Sequence, residues 1–142
     1  MMNTFKQDLE KGIKVEEQVC LLLRKRYPSA SIVHAFKGYD IWIPELNKGI
    51  EVKYDPMSKE TGNIVIEYEM FGKASALLTT TASSWVFFDD IQYVVLKPQE
   101  IIKCIFDLKL TYKEFVGKGD TQSKKAFLVP KDKLFACGKI LE

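Results

Sequence analysis

The chain has 142 residues, 46% of them hydrophobic and 28% charged, and a formal net charge of +2. These values are typical of one soluble globular domain, and no low-complexity tract or internal repeat departs from them. No apolar run approaches the length of a membrane span, and the N-terminus lacks the apolar stretch of a signal peptide. Three separated cysteines fit neither a disulfide framework nor a zinc cluster, so we expect a cytoplasmic protein with buried thiols at Cys20, Cys104 and Cys137.

The first predicted element is a helix over residues 3–26, which ends before Pro28. Its apolar face is defined by the helical spacing of Val15, Val19, Leu22 and Leu23. Glu16 falls at the margin of that face, whereas Glu17 points to the opposite, wet side. A carboxylate at the edge of a buried face needs a partner, either a Lys or Arg side chain or a metal ion.

Three strands are predicted next. Residues 30–36 form the first, and residues 37–43 and 49–54 form a hairpin closed by the polar turn 44–48. This hairpin is the centre of the chain, because charged residues occur on both of its strands.

Side-chain alternation places Glu51 and Lys53 on one face of the second hairpin strand, while Ile50 and Val52 point to the core. Asp40 lies on the neighbouring strand, so one hairpin brings an Asp, a Glu and a Lys to one edge of a buried sheet. The plain alternative is that these charges only solvate the outer face of a strand. Two carboxylates on adjacent strands repel each other unless a cation lies between them, and oxygen ligands suit Mg²⁺ or Mn²⁺.

A turn-rich loop over residues 55–62 leads to a strand over residues 63–69. If the meander continues, Glu67 and Glu69 share a face beside the Glu51/Lys53 strand. They then either line a solvated edge, or hold a water of the metal and orient Lys53.

A second helix is predicted over residues 74–82. Its N-terminus, with Lys73 and Ser75, is able to hold a phosphate, although most helix N-termini bind only water. A hairpin over residues 84–88 and 91–96 follows, with Asp89-Asp90 as its turn.

Pro98 begins a third predicted helix that runs to residue 110, with an apolar stripe of Ile101, Ile102, Ile105 and Leu108. Residues 111–125 are irregular and rich in lysine, so they form either a DNA-contacting flap with Lys118, Lys124 and Lys125 or a mobile linker. Residues 126–129 form a short edge strand, and residues 131–138 a closing helical turn. Residues 97–142 hold 10 basic and 6 acidic side chains, a balance that suits a polyanionic partner.

An aspartate, Asp40, is followed after ten residues by Glu51-Val52-Lys53. This pattern resembles the signature of the PD-(D/E)XK nuclease superfamily, which includes restriction enzymes, Holliday-junction resolvases, phage nucleases and some homing endonucleases. Tyr39 stands where the signature has proline. Gly12-Ile13-Lys14-Val15-Glu16 resembles the first-helix Gly-x-x-x-Glu pattern of resolvase-like members. The stretch 61–69 with 72–75 is similar to phage-encoded nucleases, and the resemblance covers mainly the first half of the chain.

The resemblance implies a restriction-endonuclease-like α/β (α+β) fold, with a mixed central sheet flanked by helices, and a Mg²⁺- or Mn²⁺-dependent DNA endonuclease. It implies metal ligation by Asp40, Glu51 and the Val52 carbonyl, with Glu16 completing the site and Glu17 as the second choice. Lys53 would steady the attacking water and offset charge at phosphorus. Relatives of this size generally act as dimers or tetramers, so a homo-oligomer is expected.

Three alternatives remain open from the sequence. The target is either a long defined DNA site, as for a homing endonuclease, or a branched junction, as for a resolvase, and RNA stays possible. A third reading keeps the nuclease fold only as a catalytically silent DNA-binding module.

Overall fold

The computed structural model describes residues 4–34, 38–70, 73–116 and 123–142. The helices of these ranges are α1 (Thr4–Arg24), α2 (Ser58–Thr61), α3 (Pro98–Asp107) and α4 (Lys131–Ala136), with a 3₁₀ turn at Ala76–Leu78. Their strands are β1 (Ser31–Ile32), β2 (Ile41–Ile43), β3 (Lys48–Tyr54), β4 (Asn63–Met70), β5 (Lys73–Ala74), β6 (Ser84–Phe88), β7 (Tyr93–Leu96), β8 (Lys113–Phe115), β9 (Lys124–Pro130) and β10 (Lys139–Ile140).

The strands form two sheets. Sheet A has the order β1-β2-β3-β6-β7-β10, and sheet B has the order β5-β4-β9-β8. Strand β3 pairs in parallel with β6, while the other neighbours in sheet A are antiparallel. The expectation of a mixed α+β domain is therefore confirmed at this coarse level, but the strands are divided between two sheets rather than gathered in one.

Sheet A has an apolar core on each face, because its strands alternate. Trp85 and Phe87 of β6 face one core, and Val86 between them faces the other. Helix α1 covers the Val86 face with Val15, Val19 and Leu23. Sheet B, α3 and α4 cover the Trp85 face. The hairpin of β2 and β3 thus lies between α1 on one side and sheet B on the other.

The prediction of a second helix over residues 74–82 is wrong. Ser75 is extended, with a φ of −146°, and its N–H donates to the Tyr68 carbonyl, which continues the pairing of the chain with β4. Ala76 then adopts a positive φ of 42°, and only a single 3₁₀ turn follows. Local strand pairing and the helix-poor threonines that follow outweigh the helical propensity of the alanines and leucines.

Two strand assignments also need correction. Strand β4 does not continue the meander beside β3, since it pairs with β5 and β9 in sheet B. Strand β9 is longer than expected and is not an edge, because it lies between β4 and β8. The region 111–125 contains β8 and the start of β9, and residues 117–122 within it lie outside the described residues.

Smaller differences concern burial and element ends. The first strand is only β1, and the expected positions 35–37, which include Lys37, lie outside the described residues, as does Gly72. Helix α3 ends at Asp107, and Ile102 and Leu108, which were expected in its apolar stripe, are exposed, whereas Cys104 is buried as expected. Cys137 is exposed rather than buried, because it follows α4 at the surface.

The remaining predicted elements are confirmed: the first helix, the central hairpin, the β6–β7 hairpin and the closing helical turn all occur. Among the described residues, no helix combines the length and the apolarity that crossing a bilayer requires.

Candidate functional site

Asp40, directly before strand β2, is fixed by hydrogen bonds to two backbone groups of β3. Its own N–H donates to the Ile50 carbonyl at 2.8 Å, and its Oδ2 accepts the Val52 N–H at 2.7 Å. The carboxylate therefore takes the place of a backbone acceptor where the β2–β3 ladder ends. The central hairpin positions this side chain directly against β3.

Tyr39, at the position of the proline in the nuclease signature, packs against this same hairpin. Its ring stacks on Trp42 with the centroids 5.4 Å apart. A Cβ atom on Gly49 would overlap the Tyr39 ring, so glycine is required there for the ring to lie flat on β3. This packing holds the backbone that leads into Asp40.

Glu51 and Lys53 share one face of β3, as alternation predicts. The Lys53 Nζ lies 3.3 Å from the Glu51 Oε1 and 5.3 Å from the centre of the Trp85 ring. Glu51 is the direct register partner of Trp85 in the parallel β3–β6 pair. The ammonium group is therefore held between a carboxylate and an aromatic face.

Glu16 reaches the same region from α1. Partial burial, together with the charges of Asp40 and Glu51, raises the pKa of Glu16 from 4.5 to about 7. The neighbouring Glu17 is exposed. Helical geometry thus places Glu16 beside the hairpin carboxylates, as expected for the first choice of the two glutamates.

The two hairpin carboxyl groups are also shifted upward. Burial raises the pKa of Asp40, against the lowering effects of the Val52 hydrogen bond and the Lys53 charge. Burial raises the pKa of Glu51 as well; the charge of Lys53 lowers it and that of Asp40 raises it further. Asp40 and Glu51 therefore share the compensation of one ammonium group, and all three carboxyl groups are harder to ionise than they are in water.

This donor set suits a hard divalent cation, because all of its side-chain ligands are oxygen atoms. Glu16 senses the charges of Asp40 and Glu51, and Glu51 senses that of Asp40, but as placed the three do not form one ligand sphere. Across the described residues, no group of three or more His, Cys, Asp or Glu side chains is close enough to hold a metal ion. A cation shared by all three would therefore require these side chains to move closer together.

A cavity of about 350 Å³ opens directly beside Glu51 and Lys53, whereas Asp40 and Glu16 are not among the residues that line it. Glu51 and Lys53 form one wall, and the segment that follows β5 forms the other with Ser75, Thr79 and Thr80. The cavity lies between sheet A and sheet B and is lined mainly by polar groups. It offers room for a charged ligand next to the Lys53 ammonium.

Comparison of this chain with protein-family models, with curated proteins and with solved structures finds no match. The chemistry of the site is therefore argued from its geometry. Paired carboxylates with raised pKa values, an adjacent ammonium group and an open polar cavity are suited to binding a cation together with an anionic substrate.

The other predicted residues are dispersed. Glu67 lines the same cavity and accepts the Ser75 hydroxyl at 2.8 Å. Glu69 instead pairs with Lys125 at 3.2 Å, because a β-bulge between Glu67 and Glu69 breaks the alternation that would have put both on one face. Lys73 is exposed on β5, Lys124 lies on β9, and Lys118 is outside the described residues.

Two contributors to the site were missed by the sequence reasoning. Trp85 was assigned only to the core, and it is indeed 1% exposed, but its ring also contacts Lys53. Thr80 accepts the Trp85 indole N–H at 3.1 Å and so fixes the ring. No local pattern reports that β3 pairs with β6, whose register partners Glu51 and Trp85 are 34 positions apart, so no signal in the sequence brings Trp85 to Lys53.

Proposed function

We propose that this protein is a Mg²⁺- or Mn²⁺-dependent DNA endonuclease that hydrolyses phosphodiester bonds. The observation that supports it best is the cluster of Glu16, Asp40 and Glu51, all with raised pKa values, with Lys53 acting on Asp40 and Glu51. A structural cluster would normally balance its charges, whereas this one has an excess of carboxylates beside an open cavity.

Asp40, Glu51 and the backbone carbonyl of Val52 would hold the cation, with Glu16 completing the site directly or through water. The cation, when bound, supplies Lewis-acid stabilisation of charge on the phosphoryl oxygens. The Lys53 ammonium, held against Trp85, offsets the charge that develops on phosphorus. Glu16, with a pKa of about 7, is able to take up a proton near neutral pH.

The proposal extends to the finer fold, the partner and the assembly. The α1–hairpin unit is what the restriction-endonuclease-like fold would use to carry its carboxylates, and the parallel β3–β6 pair fits a mixed central sheet. DNA is the partner, and a dimer or tetramer would let each copy cut one strand.

Cleavage of a panel of DNA shapes, with Mg²⁺ or Mn²⁺ and with chelator, tests the proposal. The panel contains a random duplex, a four-way junction and a single strand. We expect metal-dependent cleavage by the parent, and a rate lower by about 100-fold or more for Lys53→Ala, as for loss of one charge-stabilising donor.

Lys103→Ala is the matched control, since Lys103 is an exposed lysine whose ammonium pairs with Asp107 at 2.6 Å on α3. It should cut at the parental rate. A Lys53→Ala protein that keeps the parental rate, or a parent that cuts none of the DNA shapes with either metal, would remove the proposed activity.

A further inference from the structure

The threonine run that follows the 3₁₀ turn places one hydroxyl group at the wall of the candidate active site. Thr80 lies where the chain leaves this turn, and its backbone N–H donates to the Ala76 carbonyl at 2.9 Å. Its side chain lines the cavity between the two sheets, which Glu51 and Lys53 line from the other wall. The backbone of Thr80 is therefore held in place beside the proposed ligands and the ammonium group.

Both acceptor sites of the Thr80 hydroxyl are occupied. Its Oγ1 accepts the Trp85 indole N–H at 3.1 Å and the Ala82 backbone N–H at 3.2 Å. A hydroxyl group has two lone pairs that accept and one O–H that donates. The two accepted hydrogen bonds use both lone pairs, so this hydroxyl interacts with a third partner as a donor.

The core beneath Thr80 keeps the hydroxyl in this orientation. Trp85 is 1% exposed and Ala82 is 6% exposed, so their N–H groups have little access to water. A buried N–H without an acceptor is costly, and rotation of the Thr80 side chain would leave two of them unsatisfied. The hydroxyl is therefore oriented as a donor before any ligand binds.

The other two hydroxyl groups that line this cavity are already used as donors. The Ser75 hydroxyl donates to the Glu67 carboxylate at 2.8 Å. The Thr79 hydroxyl points back to the Ala76 carbonyl at 3.5 Å. Among the described residues, both side-chain hydrogen bonds of Thr80 are accepted rather than donated. Its O–H is therefore the one of these three that remains for a ligand.

Trp85 connects this donor to the Lys53 ammonium. The Lys53 Nζ lies 5.3 Å from the centre of the Trp85 ring, and the N–H of the same ring is bonded to Thr80. One buried side chain thus supports a positive charge and a directed O–H that line the same cavity. Together they suit the oxygen atoms of a phosphate group, which accept hydrogen bonds and carry negative charge.

The charges of the cavity determine when an anion binds there. When ionised, Glu51 and Glu67 contribute two negative charges against the one positive charge of Lys53. An anion is therefore repelled until a cation offsets the negative excess, and the proposed function places a cation on Glu51. The neutral Thr80 hydroxyl adds direction to the binding without adding charge.

We propose that the Thr80 hydroxyl donates a hydrogen bond to a non-bridging oxygen of the phosphate that binds beside Lys53. Thr80 is then a substrate-binding residue, and the N–H groups of Trp85 and Ala82 orient it. This inference rests on the proposed function and deepens it, because it assigns the neutral contact that orients the phosphate within the cavity.

A nucleotide without a phosphodiester bond separates binding from cleavage. Isothermal titration calorimetry measures the affinity of thymidine monophosphate for the full-length parent, Thr80→Val and Thr80→Ser, in Mg²⁺ and in EDTA. The parent should bind in Mg²⁺ and not in EDTA. Thr80→Val should bind about 10-fold more weakly, as for the loss of one hydrogen bond to a charged group, whereas Thr80→Ser keeps the hydroxyl and should stay within about threefold of the parent.

Two further variants separate the donated hydrogen bond from the support that Thr80 gives to Trp85. Thr80→Val leaves the buried indole N–H without an acceptor, whereas Trp85→Phe removes that N–H. Thr80→Val should therefore still weaken binding by about fivefold or more when it is made in Trp85→Phe. If the loss disappears in that background, Thr80 acts only by holding the ring and the proposal is overturned.

Thr61→Val is the matched control. The Thr61 hydroxyl is exposed, donates to the Asn63 carbonyl at 3.2 Å and does not line the cavity. This variant should bind the nucleotide as the parent does. Parental affinity in Thr80→Val, an equal loss in Thr80→Ser, or no binding by the parent would each overturn the proposal. Thermal melting of every variant separates lost binding from lost folding.

The outcomes also distinguish this contact from the proposed activity. If Thr80→Val loses the nucleotide while the parent cuts no DNA shape with either metal, the phosphate contact stands and the endonuclease proposal fails. If Lys53→Ala abolishes cleavage while Thr80→Val binds the nucleotide as the parent does, the endonuclease proposal stands and the phosphate contact fails.

Discussion

Asp89 and Asp40 both lie near ends of strands in sheet A, but they differ in almost every physical respect. Asp89 follows β6, is 1% exposed, and accepts the N–H groups of Ile91 and Gln92, each at 2.9 Å. Its other oxygen accepts the Lys131 ammonium at 2.9 Å. Asp40, before β2, is only partly buried and shares the influence of Lys53 with Glu51.

The pKa values of the two carboxyl groups move in opposite directions. Burial alone would raise the pKa of Asp89, but the hydrogen bonds from Lys131, Gln92 and Ile91 outweigh it and lower the pKa. Burial raises the pKa of Asp40 despite the Val52 hydrogen bond and the Lys53 charge. The charge of Asp89 is fully compensated, whereas Asp40 shares the Lys53 ammonium with Glu51.

The comparison distinguishes a structural acid from a candidate functional one. The charges of Asp89 and Lys131 balance each other, and the pair connects the β6–β7 turn to α4. Asp40, Glu51 and Glu16 have a negative excess, and one of the three, Glu51, lines an open cavity. Both clusters look alike in the sequence, as acids near the ends of apolar strands.

Neutralising each aspartate in turn is the strongest way to break this comparison. Asp89→Asn should lower the free energy of unfolding by about 3 kcal/mol, because it leaves the partly buried Lys131 ammonium without its counter-charge. Asp40→Asn should not lower it, because the amide oxygen still accepts the Val52 N–H and a carboxylate with a raised pKa is removed. Urea unfolding at pH 7 in EDTA measures both, and equal losses of stability would contradict the distinction.

The local half of the site could be predicted from the sequence. The hairpin follows from two short apolar runs around a polar turn, and the shared face of Glu51 and Lys53 follows from strand alternation. The place of Glu16 follows from helical periodicity, since 100° per residue puts it beside the buried face. Each of these inferences depends on residues that are near in sequence.

The non-local half could not be predicted. The parallel pairing of β3 with β6, which brings Trp85 to Lys53, joins segments about 30 residues apart. The division into two sheets separates Glu67 from the β3 ladder, and the bulge sends Glu69 to Lys125. Pairing partners and bulges depend on tertiary packing, which a one-dimensional pattern does not contain.

Adding and removing a divalent cation sharpens the comparison, and the expected change in stability is of intermediate size. At about 100 times its dissociation constant, Mn²⁺ should stabilise the parent by about 2.7 kcal/mol relative to EDTA. Glu51→Gln should abolish most of this stabilisation, because it removes one of the proposed oxygen ligands. Asp89→Asn, although less stable, should keep the full increment, since Asp89 is already satisfied by Lys131. Melting curves with and without metal measure the increments, and an equal loss of the increment in both variants would contradict the assignment.

Glu16 offers the smallest expected effect and the one most specific to the pKa shift. Its folded pKa of about 7 exceeds its ordinary value of 4.5, so the stability that it contributes is present below about pH 4.5 and is lost as the pH rises through 7. Glu16→Gln keeps the neutral form at every pH. In EDTA it should therefore melt at about the parental temperature at pH 5 and about 3 °C higher at pH 8, which is about 1 kcal/mol after allowance for partial exposure. Glu17→Gln, on the exposed side of the same helix turn, should show no such dependence on pH. A Glu16→Gln protein that gains nothing between pH 5 and pH 8 would show that neither burial nor the charges of Asp40 and Glu51 raise the pKa of Glu16, and Glu16 would no longer belong to the candidate site.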